Sequence, residues 1–130
     1  MKMAVRAIKE AVKLDGESVH IGVVAAEVFE LAGQVADAAG ARERLADIDR
    51  RFRSVHLMKV ANLRLSLGQT DAAYAAGRKV LEVGGSGPEQ ARFFSDLCFR
   101  LEKDQEAFET LRRNVRMNPG DLQVLSLIHI

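Results

Sequence analysis

An alanine returns along this chain at a nearly fixed step, and that step limits the possible folds more than any other feature. Ala4, Ala38, Ala73 and Ala107 stand 34, 35 and 34 residues apart. Their neighbours keep the same register. Gly33 and Gly68 each lie five residues before an alanine, and Leu67 and Leu101 each lie six before. Twelve residues after the alanines come Gly16, Arg50, Gly85 and Pro119, so three of the four repeats place a helix breaker at the same point. A period of this size marks stacked supersecondary units, each too small to bury its own apolar face.

The units are helical. Ala38, Ala41, Leu45, Ile48 and Phe52 step by three, four, three and four, which predicts one apolar stripe on one helix. Strand-like alternation is nowhere sustained. Turn signals at Asp15-Gly16-Glu17-Ser18, Gly84-Gly85-Ser86-Gly87-Pro88 and Asn118-Pro119-Gly120-Asp121 each precede a fresh apolar period. Ser18 and Asp121 stand where an N-cap oxygen can accept from free backbone N–H groups, and Pro88 suits a first helical turn. Shorter breaks at Gly33-Gln34, at Gly68-Gln69 and near Glu102-Lys103 split each stretch in two, giving a run of helical hairpins.

The segment SLGQTDAAYAAGRKVLEV, Ser66 to Val83, resembles the tetratricopeptide repeat, with RAIKEAVKLDG and FETLRRNVRMNPGD in the same register. The resemblance implies an all-α fold of antiparallel helical hairpins stacked as a right-handed superhelix, an α-solenoid. It also implies small residues where paired helices approach: Ala26, Ala61 and Ser95 on the first helices, and Ala38, Ala73 and Ala107 on the second. Two sites depart from the family pattern. Its aromatic late in the first helix is Phe29, Arg64 and Cys98 here, and its second-helix alanine is Leu45, Val80 and Asn114. The expected units are a half repeat over 1–18, repeats over 19–53, 54–87 and 88–121, and the start of a truncated repeat over 122–124. The last six residues, LSLIHI from Leu125 to Ile130, resemble a translated transposase-end sequencing adapter, so the natural protein is expected to continue differently beyond 124. The half repeat carries an apolar side, Ala4, Ile8 and Ala11, that calls for a covering helix.

Composition narrows the function. Nineteen basic residues against eighteen acidic give a net charge of +1, which supplies no field for nucleic acid or an anionic membrane. Aromatics are 5% with no Trp, too few for a stacking platform on single strands. Apolar residues at 48% and charged residues at 28% suit a folded globular chain. Cys98 is the single cysteine, which rules out an internal disulfide and leaves a buried, reduced thiol as the expectation. No apolar run reaches membrane-spanning length, and MKMAVRAIKEAVKLD lacks the apolar core of a signal peptide. A cytoplasmic location is expected if Met1 is the native start.

Motifs for chemistry fail for want of partners. The GGSGP stretch has no Lys-Ser/Thr after it and no strand before it, so it reads as an inter-repeat turn and not a phosphate loop. His20, His56 and His129 form no ligand pair, so structural or solvated roles and no cofactor are expected. Glu43, Asp47 and Asp49 share a helix with Arg42, Arg44, Arg50, Arg51 and Arg53, which reads as a solvated, salt-bridged face. Neither Cys98 nor any serine has a base beside it in sequence, and no enzymatic role is assigned.

The resemblance implies a concave groove lined by the first helices, which in this family holds extended peptides or helices. The groove positions carried over are His20, Val23, Glu27 and Glu30, then Val55, Met58, Lys59, Asn62 and Ser66, then Glu89, Arg92, Phe93, Asp96 and Arg100. One subclass grips the C-terminal carboxylate of heat-shock chaperones with a Lys-Asn-Asn-Lys-Arg clamp. The matching positions here hold Val23, Glu27, Lys59, Glu89 and Phe93, with one suitable cation, so that role is disfavoured. The expected partner is a protein or peptide of unassigned identity. Two other readings stand beside this one: the repeat arm of a larger sulfotransferase- or glycosyltransferase-type enzyme, and an oligomerisation surface.

Overall fold

A computed structural model of the chain describes residues 1–84 and 87–120, and seven α-helices run through them: α1 Lys2–Leu14, α2 Val19–Leu31, α3 Val35–Ile48, α4 Arg53–Ser66, α5 Thr70–Gly84, α6 Pro88–Arg100 and α7 Asp104–Met117. A single 3-10 turn, Arg50–Phe52, joins α3 to α4, and no strand occurs among the described residues. The expected N-cap at Asp121, the helix start at Leu122 and the tail from Leu125 lie outside the described residues, as do Gly85 and Ser86 of the glycine-rich linker.

The helix boundaries follow from local chemistry. Ser18 Oγ accepts from the Ile21 N–H at 3.2 Å and starts α2. Pro88 opens α6, where its missing N–H leaves nothing unsatisfied. Within each hairpin the first helix stops the same way. Gly33 and Gly68 take φ of 73° and 76°, and Glu102, in the same register, takes 61°. Each turn is closed by two backbone bonds. The N–H groups of Gly33, Gly68 and Glu102 donate to Glu30, Leu65 and Phe99, and those of Gln34, Gln69 and Lys103 donate to Phe29, Arg64 and Cys98, at 2.8–3.1 Å. This is the Schellman arrangement, which needs one left-handed residue, and two of the three repeats supply glycine.

The stripe expected to run from Ala38 to Phe52 on one helix is shorter than the spacing suggested. Helix α3 ends at Ile48, and Phe52 sits in the 3-10 turn, 48% exposed. No Gly or Pro stops α3. Arg53 does it from outside, donating from Nε to the Ala46 carbonyl at 2.6 Å and from Nη2 to the Asp47 carbonyl at 3.4 Å. These are carbonyls of the last turn, which lack partners within the helix.

Each helix packs against the one before it and the one after it, as expected of an α-solenoid of helical hairpins. The small residues stand at the crossings: Ala26, Ala61, Ser95, Ala38, Ala73 and Ala107 are all fully buried. Cross-repeat contacts sort the helices into two layers. Gln90 on α6 donates to Ser54 on α4 at 3.4 Å, linking first helices. Lys9 on α1 reaches Asp37 on α3 at 4.0 Å, and Arg78 on α5 reaches Glu106 on α7 at 3.2 Å, linking second helices. The first layer is therefore α2, α4 and α6, and the second α1, α3, α5 and α7. Between them runs a chain of apolar clusters, from Val5, Ile8, Ala25 and Phe29 at one end to Phe94, Cys98 and Ala107 at the other. Burying a side chain the size of Leu45, Leu111 or Phe94 stabilises the stack by about 1.5–3 kcal/mol each. On α1 the apolar side is partly covered by α2 itself: Ile8 is buried, Ala11 half-buried and Ala4 exposed.

Candidate partner-binding surfaces

The fourteen groove positions fall on α2, α4 and α6, and none is buried. His20, Glu27, Val55, Lys59, Asn62, Ser66, Glu89, Asp96 and Arg100 are exposed, while Val23, Glu30, Met58, Arg92 and Phe93 are half-buried. Met58 and Phe93 pack against the same core cluster, Ala46, Leu57 and Val80, so one apolar seam joins α4 to α6 beneath the charged positions. Arg100 is paired with Asp96 at 3.1 Å on its own helix. Glu30 is half-buried and binds Arg42 of α3.

That pairing corrects the expectation of a wholly solvated charged face on α3. Arg42 is buried, 5% exposed. Its Nε donates to Glu30 Oε1 at 3.1 Å, and its Nη1 lies 3.5 Å from Nδ1 of His56. Nε2 of His56 lies 2.9 Å from Asp49 Oδ2. A guanidinium can only donate, so Nδ1 is the acceptor and Nε2 carries the proton given to Asp49. Glu30, Arg42, His56 and Asp49 thus form one polar chain from α2 through α3 to α4. The signal for it was in the period. Arg42 occupies the register of Ile8, Gly77 and Leu111, all buried. The other charges do not share one helix either: Asp49, Arg50, Arg51 and Arg53 lie beyond the end of α3, and Arg53 is half-buried against its last turn. Glu43, Arg44, Asp47, Arg50 and Arg51 are exposed as expected, with Glu43 bound to Arg64 of α4.

Among the described residues, cavities open in the other layer, and none of the fourteen groove residues lines the three named here. One, about 660 Å³, opens between α1 and α3 over α2. The next, about 510 Å³, opens between α3 and α5 over α4, and one of about 480 Å³ lies between α5 and α7. The last is edged by a polar cluster in which Glu106 accepts from the Tyr74 hydroxyl at 2.6 Å and from Arg78 at 3.2 Å, with Lys103 over the Tyr74 ring at 4.7 Å. The hydrogen bond to Glu106, with burial, raises the pKa of Tyr74.

Cys98 is fully buried, and burial pushes its thiol up to about 11. The thiolate is the reactive form, so this cysteine is chemically quiet at neutral pH. Among the described residues, no group of three or more His, Cys, Asp or Glu side chains is placed to hold a metal ion, and no helix is long and apolar enough to cross a membrane.

Comparison with known proteins places the fold. No family model matches the sequence, and no curated protein matches it. Solved structures do match. MamA aligns with a TM-score of 0.68 at 14% identity, over 92% of this chain and 70% of that one. YrrB, described as a TPR protein with an unusual peptide-binding site, aligns at 0.66 and 15% identity over 95% of this chain and 63% of that one. TTC0263, a thermophilic TPR protein of Thermus thermophilus, aligns at 0.65 and 16% identity over 95% of this chain and 68% of that one. The chain therefore has the tetratricopeptide-repeat fold and spans about two thirds of the length of these structures.

Proposed function

We propose that this chain is a protein-interaction module that holds a peptide or helix in the concave groove along α2, α4 and α6, with no chemistry of its own. The observation that carries this is the layer itself: fourteen side chains from three helices remain outside the core, and an apolar seam at Met58 and Phe93 runs beneath the charges. In a stack of hairpins the small rotation between units curves one layer into an extended concave surface. An extended ligand gains most of its affinity from a few such apolar anchors, with charges at the rim setting register. The repeat units proposed for this surface are 19–53, 54–87 and 88–121.

A displayed random-peptide library panned on the chain tests this reading. Selected peptides should lose binding to the double variant Lys59→Glu/Asn62→Arg, whose two exposed side chains stand one turn apart on α4. They should retain it in Arg6→Glu/Arg44→Glu, which alters only the opposite layer. Selected peptides that bind the Lys59→Glu/Asn62→Arg variant as well as the parent would remove the groove from consideration.

A further inference from the structure

The cavity between α1 and α3 holds charge and hydrogen-bonding capacity that the chain itself does not answer. Its lining runs from Lys2 to Lys13 on α1 and from Ala36 to Ile48 on α3. At 1.5 Å per residue that is a trench of about 17 Å, three turns of helix. Val5, Ala25 and Phe29 give it an apolar floor, and the α3 wall is cut back to Ala36 and Gly40. A Cβ placed on Gly40 meets nothing within 4 Å.

Along the α1 rim stand Lys2, Arg6, Lys9 and Lys13, spaced by four, three and four residues and so on one helical stripe, with Arg44 facing them from α3. Three acids, Glu10, Asp15 and Asp37, oppose these five cations. Lys9 reaches Asp37 only at 4.0 Å and Lys13 reaches Glu10 at 3.7 Å, both in open solvent. Lys2, Arg6 and Arg44 form no ion pair among the described residues. At the trench edge Oε1 of Gln34 is buried without a hydrogen-bond partner, an arrangement that folded chains rarely leave unanswered. The two neighbouring cavities differ in sign: acids outnumber cations in the lining of each.

We infer that this trench docks an amphipathic helix about three turns long, which lays apolar side chains between α1 and α3 and an acidic stripe along the α1 cations. Length and periodicity select this occupant. A single-headed amphiphile such as a fatty acid would answer one cation and leave the rest of the stripe bare, whereas carboxylates at helical spacing meet Lys2, Arg6, Lys9 and Lys13 in turn. A donor at the edge of the same helix satisfies Gln34. This surface belongs to the layer opposite the proposed groove and does not depend on it.

The test uses the full chain and a fluorescein-labelled peptide of about 14 residues, about 21 Å as a helix. It carries Leu and Phe on one face and Glu along one flank. A second peptide replaces each Glu by Lys, and oleate serves as the amphiphile. Fluorescence anisotropy should show binding of the Glu peptide that weakens with added salt, and none of the Lys peptide. Arg6→Glu/Arg44→Glu should weaken it by about tenfold or more, through two attractions turned to repulsions. Gly40→Leu should abolish binding while raising Tm, because leucine enters open space and favours the helix. Lys59→Glu/Asn62→Arg should bind unchanged. The inference is overturned if both peptides bind alike, if Gly40→Leu binds as the parent does, or if oleate binds and the Glu peptide does not.

Discussion

Removing the carboxylate of Glu30 strands a guanidinium inside the stack, and its cost can be worked from the surroundings. The Arg42 side chain is 6% exposed and that of Glu30 31%. Breaking a buried ion pair by deleting one partner costs about 3–5 kcal/mol when the remaining charge stays dry. Water already reaches Glu30, so its removal admits some solvent to Arg42, and Glu30→Ala should cost about 2–3 kcal/mol. Arg42→Met removes the charge and keeps most of the stem. It leaves Glu30 to water and strands only Nδ1 of His56, for about 1–2 kcal/mol. The double variant should then cost no more than Arg42→Met alone, so the single losses fail to add by about 2 kcal/mol. Urea unfolding followed by circular dichroism, with an unchanged m-value, measures all three. If Glu30→Ala costs less than about 0.5 kcal/mol and the losses add, the pair is screened as on any surface and the argument from burial is wrong.

Three further outcomes follow from two named residues. Glu102→Gly relieves a left-handed residue, worth about 1–2 kcal/mol, against about 0.4–1 kcal/mol of added freedom in the unfolded chain. Tm should rise by up to about 5 °C, and a lowered Tm in a thermal scan refutes the strain. For Cys98 the folded thiol titrates at about 11 against an ordinary 9.0, so the unfolded chain loses this proton first. That stability is fully present below pH 9 and is lost as pH rises toward 11. Unfolding curves across that window should show the decline, with Cys98→Ala removing part of it and the raised pKa of Tyr74 accounting for a share of the remainder. Native Cys98 should resist a disulfide thiol reagent at neutral pH and react on denaturation, and rapid native labelling would contradict its burial.

The alanine period was enough to locate the hairpins because it reports close helix approach, which only small side chains permit. It even marked the turn at Glu102, where no glycine stands, since register outlasts residue identity in a stack. What it hid was whatever depends on neighbours distant in sequence. Arg42 reads as solvated among its charged neighbours on α3, because the partners that allow its burial lie 12 and 14 residues away. The end of α3 was obscured for the same reason: Arg53 closes it through side-chain bonds, and no local breaker announces it. The α1–α3 trench was likewise invisible as a shape, and the four-three-four spacing of Lys2, Arg6, Lys9 and Lys13 gains meaning only beside it.

The polar joint between the first two hairpins has a mechanical consequence. Arg53 belongs to α4 but grips carbonyls of α3, while the Glu30–Arg42–His56–Asp49 chain crosses the same boundary. Any twist of one hairpin against the next must break several of these directional bonds together, whereas sliding apolar contacts would yield gradually. The α2 and α4 stretches of the first layer are thereby clamped at a set angle before any ligand arrives. A peptide seating in the groove proposed there would meet a stiff template, and little of its binding energy would be spent on ordering the host.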